Sequence, residues 1–242
     1  MAIVDDPHLE DVHEQLDVGL DAVERGDLRA ATRSLEILRR IAGKTAASTL
    51  LLEGKLVEVA DGPAAAIAHY RRGVDLAPED AELRLALAYA CEATGDQEGM
   101  VRQLLVVRSL DAQADRDAGG VDPAVLDAIE AAAAAALDEL PEAFHRRIAH
   151  VPIVLEPRPS IALVRDGFDP RGYGLFEGPT HVEEAAIEGV PGGPTRIVLY
   201  TANLVADFDE PELSEQVRIT VLHEVGHYFG MSEEDMERLG LD

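Results

Sequence analysis

The stretch "FDEPELSEQVRITVLHEVGHYFGMSEEDMERLG", residues 208–240, decides how the second half of this 242-residue chain is read. Leu213, Val217, Val221 and Val225 recur at helical spacing, and Leu222 and Phe229 widen the stripe, so an amphipathic helix is expected. Asp209 stands where a cap belongs, Pro211 lies in the first turn, and Glu212 completes the pattern of a capping box. Gly230 is the expected stop, because glycine takes the left-handed backbone that closes a helix.

On such a helix His223 and His227 lie on one face, one turn apart. Two imidazoles so placed can ligate one ion. Zinc takes nitrogen ligands at about 2.0–2.1 Å, and its catalytic sites leave one position for water. Glu224 follows the first histidine and is the candidate general base. It can take a proton as water attacks a carbonyl and deliver that proton to the leaving amine. A third ligand must come from elsewhere: Glu233, Glu234, Asp235 and His181 are the candidates. Ser232 is expected to cap a last short helix, with Asp235 answering it, which would fix where Glu233 points.

Working towards the amino terminus, three short strand-like runs precede the helix, two of them β-branched. They are "VPIVLEP" (151–157), "YGLFEG" (173–178) and "RIVLYT" (196–201), each flanked by proline or glycine as strands are. Before them, Asp122 and Pro123 make a good helix start for "AVLDAIEAAAAAALDEL" (124–140), whose alanines favour helix and close packing. Pro141 interrupts it, and a shorter helix is expected over 142–149.

The first half repeats itself. "ERGDLRAA" (24–31) and "ATGDQEGM" (93–100) share a Gly-Asp pair, and "ADGPAAAI" (60–67) carries the pair reversed. Aligning these turns gives three units over 12–45, 47–80 and 81–114. Small residues stand at one position (Gly19, Gly54, Ala88) and compact ones at a second (Ala31, Ala66, Met100). Bulky residues follow (Leu35, Tyr70, Leu104), then another packing position (Leu38, Gly73, Val107). Small residues let two helices approach, and larger ones fill the space between units. Pro78 stops the middle unit; Gly43 and Ala112 stand at that place in the others. The period and register resemble tetratricopeptide repeats. The resemblance implies a concave groove that binds a peptide or protein.

The second half resembles the bacterial zincin-like metallopeptidase family, also called minimal metalloprotease-like. The matching pieces are "ALDELPEAFHRRIAHVPIVLEP", "YGLFEG", "RIVLY" and "EQVRITVLHEVGHYFGMSEEDMERLG". The last contains HExxHxxGxxE, a pattern in which glycine breaks the helix and the third ligand comes three residues later. That resemblance implies zinc held by His223, His227 and Glu233, the position of Glu233 being usually aspartate in the family. It also implies peptidase activity. Met231 and Met236 are read as core packing. Tyr228, Tyr173, Tyr200 and His181 are candidates for stabilising an oxyanion.

The expected fold class is thus α plus α/β in two domains. Residues 1–116 are tetratricopeptide-like helical hairpins and 117–122 a linker. Residues 123–242 form a small zincin-like α+β domain with a few-stranded sheet and an active helix. A formal net charge of −26 repels nucleic acid and anionic lipid and favours basic partners or divalent cations. With no tryptophan and 4% aromatics, stacking platforms for bases are not expected. No run of about 18 apolar residues exists to span a membrane. The first sixteen residues lack a leader pattern, and the one cysteine, Cys91, reads as a small core residue, so a cytoplasmic location is expected. Two functions fit: a zinc peptidase whose repeats recognise substrate or partner, or a binding module whose metal domain is structural or inactive.

Overall fold

A computed structural model describes residues 7–180 and 195–238, with backbone alone for residues 7–10 and Glu233. Its contacts divide the chain into two compact units. One comprises residues 1–111 with 161–167, the other 112–160 with 168–242.

The first unit is three successive helix pairs: α1 (Pro7–Glu24) with α2 (Leu28–Ile41), α3 (Ala47–Asp61) with α4 (Pro63–Leu76), and α5 (Ala81–Ala93) with α6 (Gln97–Ala118). The recurring Gly-Asp pair has a physical cause. Gly26 and Gly95 take positive φ (73° and 79°) and end one helix. The aspartate that follows starts the next: Asp27 Oδ1 accepts from Ala30 N, and Asp96 Oδ1 from Gly99 N, each at 2.9 Å. In the reversed pair Gly62 turns the chain (φ 87°), and Pro63 opens α4 with its φ already set for a helix.

The small residues stand where helices come closest. A Cβ on Gly19 would lie 2.5 Å from Leu52 Cδ2 and 3.1 Å from Ser34 Cβ, and one on Gly54 would strike the Tyr70 ring. Ala31, Ala66, Tyr70, Ala88, Leu38 and Val107 are fully buried. Cys91 is a core residue of this unit, and burial pushes its thiol pKa up. A short helix, α9 (Ile161–Arg165), belongs to the same core through Val164. No local pattern in its five residues announces that placement.

Two expectations at the end of this unit are corrected. Helix α6 runs on past Ala112 and takes in the first two residues of the expected 117–122 linker, ending at Ala118. Polar side chains there do not stop a helix whose residues, Ala, Gln, Arg and Asp, carry no strong breaker before Gly119 and Gly120 (φ 93° and 79°).

The second unit packs two helices on one face of a three-stranded sheet. The strands are β1 (Ile153–Glu156), β2 (Gly174–Glu177) and β3 (Arg196–Tyr200), in the order β1-β3-β2. β3 is central: parallel to β1, with Ile153 beside Ile197, and antiparallel to β2, with Phe176 beside Ile197. Ile197 and Leu199 join Ile129, Ala133 and Ala136 of α7 (Pro123–Asp138) and Leu213, Val217, Val221 and Val225 of α11 (Glu210–Tyr228) in one core. Val198 and Tyr200, on the opposite face, are also buried, the latter against the Phe168 ring. A strand is apolar where both of its faces are covered, as Ile197, Val198 and Leu199 are. Burial of each of Val217 and Val221 contributes on the order of 1.5–3 kcal/mol.

The remaining helices are α8 (Glu142–Ile148), α10 (Thr201–Asp207) and α12 (Glu233–Glu237). The loop before β2 is fixed by a buried ion pair. Arg158, its side chain 7% exposed, gives two hydrogen bonds to Asp115 (Nε 2.5 Å, Nη2 2.8 Å) and one to Asn203 Oδ1 (2.6 Å). Asn203 Nδ2 in turn donates to the carbonyls of Pro170 and Gly172. Among the described residues no helix is long and apolar enough to cross a membrane.

Candidate metal centre

The site is built on α11. Its start differs from expectation: Asp209 occupies the cap position, but its side chain accepts no capping hydrogen bond, and the capping box with Glu212 does not form. Pro211 and the acidic Glu210 and Glu212 in the first turn suffice, because proline presets φ and carboxylates complement the helix dipole. The far end matches its sequence. Gly230 (φ 73°) donates to His227 O, and Met231 N reaches back to Gly226 O at 3.0 Å, the hydrogen-bond pair of a Schellman turn.

The chain then reverses into α12, where the capping box does form. Asp235 N donates to Ser232 Oγ, and Asp235 Oδ2 accepts from Ser232. Met236 is fully buried against α11: a Cβ on Gly226 would lie 2.7 Å from its sulfur. Gly226 sits between the two histidines in sequence, so its missing side chain is what lets α12 pack there. Glu233 is the first residue of α12, and its side chain lies outside the described residues. His181 lies outside them altogether. Glu234 is engaged by Arg238, and Asp235 by the cap and Arg238.

The two histidines converge. His223 Nε2 and His227 Nε2 are 3.1 Å apart, with ring centroids at 4.8 Å and planes at 77°. Two lone pairs that close repel unless a proton or a cation lies between them. Two ligands on one tetrahedral zinc, each at 2.0–2.1 Å, stand about 3.3 Å apart. The pair therefore fits that ion as placed. Both rings are half-buried. Among the described residues no third metal-ligating side chain joins them.

Glu224 is 6% exposed, between α11 and the edge strand β2. Its Oε2 accepts from Phe176 N at 2.6 Å. Gly174 makes that approach sterically allowed, since a Cβ there would lie 2.6 Å from Thr220 Cγ2 and 3.1 Å from Glu224 Oε1. A glycine inside a strand pattern signals close approach of another group, and "YGLFEG" carries that signal without saying to what. The backbone of Phe176 leaves no such trace.

A cleft of about 210 Å³ opens beside these groups, lined by Tyr173, Gly174, Gln216, Ile219, Thr220, His223 and Glu224. Of the tyrosines considered for an oxyanion, Tyr200 and Tyr228 are fully buried in the core, Tyr228 with its hydroxyl 3.4 Å from Arg147 O. Tyr173 lines the cleft, and its hydroxyl donates to Asp207 Oδ2 at 2.8 Å. Burial, then that hydrogen bond, pushes its pKa up to about 12, so it stays protonated at neutral pH.

The arrangement is chemically specific: two convergent imidazole nitrogens, a buried carboxylate on the residue after the first, and an open cleft lined by His223 and Glu224. No curated protein matches the chain. Residues 148–241, which span β1 to α12, match the family model described as zincin-like metallopeptidase.

Proposed function

We propose that this protein is a zinc-dependent metallopeptidase whose helical first unit, an array of tetratricopeptide-like repeats, recognises substrate or partner. The convergence of His223 Nε2 and His227 Nε2 to 3.1 Å beside Glu224 carries this reading. The match over 148–241 supports it. His223, His227 and Glu233 hold the ion in this account. Bound there, zinc supplies a Lewis acid and makes water acidic enough to attack a carbonyl near neutral pH.

Glu224 is the general base. Phe176 N holds Oε2 and so sets the carboxylate's orientation, and that carboxylate takes the proton of the attacking water and passes it to the leaving nitrogen. A substrate in extended form can align along the edge of β2, where Gly174 lies against Glu224. The groove along α1, α3 and α5 supports the recognition role of the first unit.

One observation favours a second reading, a binding module with a structural metal domain. Phe176 N ties the Glu224 carboxylate to the sheet, a role that needs no chemistry. Hydrolysis of a broad peptide library by zinc-loaded wild type and Glu224→Gln separates the two. The peptidase reading expects cleavage by wild type alone; stoichiometric zinc with no Glu224-dependent cleavage supports the binding module.

A further inference from the structure

The first unit holds a groove that the metal chemistry does not use. It measures about 380 Å³ and is lined by α1, α3 and α5 alone, the first helix of each pair. That volume lies in the range of ligand-binding clefts, about 300–1,000 Å³. Leu51 and Ala86 are buried in its lining, while Val59 and Tyr89, 52% and 38% exposed, border it. Each helix adds one acid: Glu24, Glu58 and Glu82. The base in the lining, Lys55, lies 3.6 Å from Glu58, whose Oε2 also accepts from Tyr70 at 2.6 Å.

The charge is sorted by helix. α1, α3 and α5 carry eleven acidic residues (six, three and two) and two basic ones, Lys55 and Arg84. α2 and α4 carry two acidic residues and six arginines, and α6 is mixed, with four acidic residues and three arginines. The helices that line the groove therefore carry a large acidic excess, and the arginines gather on α2 and α4. The groove is thus apolar along its lining and negative at its margin.

We propose that this groove binds peptide segments in which an apolar side chain is flanked by lysine or arginine. The apolar side chain leaves water against Leu51, Ala86, Val59 and Tyr89, and the flanking cations meet Glu24 and Glu82. An acidic segment would meet like charge at Glu24 and Glu82. This deepens the recognition half of the function proposed above and does not depend on zinc.

The test uses the full-length Glu224→Gln chain, so that cleavage cannot interfere, and short fluorescein-labelled peptides read by anisotropy. One probe places leucine or phenylalanine between lysines and arginines. A second replaces each base by glutamate, and a third replaces the apolar residue by serine. The first binds, more weakly as salt rises; the other two bind at least tenfold more weakly. Adding E24K and E82K weakens the first probe about fivefold or more. Adding D127K and E130K, on exposed positions of α7, changes net charge equally and leaves binding within twofold. Circular dichroism confirms that both variants fold.

Equal binding of the glutamate or serine probe overturns the proposal, as does equal weakening by both double substitutions. No binding of the first probe overturns it too. A concentration-dependent dimer that E24K/E82K dissolves also overturns it, since the occupant is then the arginine-bearing face of a second copy. Zinc content, measured on the same samples, reports separately on the metal centre.

Discussion

Glu224 Oε2 accepts a 2.6 Å hydrogen bond from the backbone N–H of Phe176, so the edge strand of the sheet aims the acid that adjoins the histidine pair. A main-chain donor cannot rotate away as a side chain can. The carboxylate reaches the cleft preset, and one oxygen is committed to holding it there. Glutamine can accept the same bond through its amide oxygen but cannot take a proton from water. Glu224→Gln should therefore keep its melting temperature and zinc while losing about 10²–10⁴-fold in hydrolysis rate. Parallel thermal melts, zinc assays and peptide hydrolysis check this.

Gly174 leaves no room for a side chain between β2 and α11. Valine is the better strand former, so propensity alone predicts that Gly174→Val stabilises the strand. Packing predicts the reverse and should win, because the new Cβ meets Thr220 and Glu224. The expected cost is roughly 1–3 kcal/mol, with a loss of hydrolysis larger than the fraction unfolded explains. Urea denaturation and initial rates on the same sample measure both.

The third ligand has a prediction of its own. Glu233 opens α12 behind the Ser232–Asp235 capping box and the buried Met236, which hold its backbone in place. Glu233→Ala should lower zinc affinity strongly without loss of helix signal, and Glu233→Asp should retain zinc. Competition with a chelator ranks the three proteins. Full affinity in Glu233→Ala moves the ligand elsewhere, with His181 the next position to change.

Tyr173 supplies a pH dependence. Burial and the bond to Asp207 raise its pKa from 10.0 unfolded to about 12 folded. The folded state favours the neutral phenol, so this stability is fully present below pH 10 and is lost as pH rises from 10 to 12. Wild type should therefore lose its advantage over Tyr173→Phe across that window and keep it at pH 8. Denaturant midpoints for both proteins along an alkaline series are the measurement.

Much of this was legible in the residues. The helix carrying His223, Glu224 and His227 shows a four-residue apolar spacing, and the three strands are short apolar runs near proline or glycine. Both are patterns set by neighbouring residues alone. The Ser232–Asp235 cap and the Gly230 stop are also local, being set within a few residues. What stayed hidden is contact between distant parts. Arg158 pairs with Asp115 across 43 residues, and nothing in "EPRPS" marks a buried arginine. The Phe176 amide that holds Glu224 is backbone, which every residue has. Val164 enters a core made by helices more than 50 residues earlier. The missing Asp209 cap bond shows the converse: a favourable local pattern stays unused when proline and acidic residues already start the helix.

The central claim is that His223 and His227 share one divalent ion. Equilibrium dialysis of the full-length protein against zinc, read by elemental analysis, tests it most directly, with circular dichroism run beside it. One zinc per chain is predicted for wild type, and loss of it in His223→Ala and in His227→Ala while both remain folded. Wild type that takes up no zinc, or folded single variants that keep a full equivalent, would contradict the account.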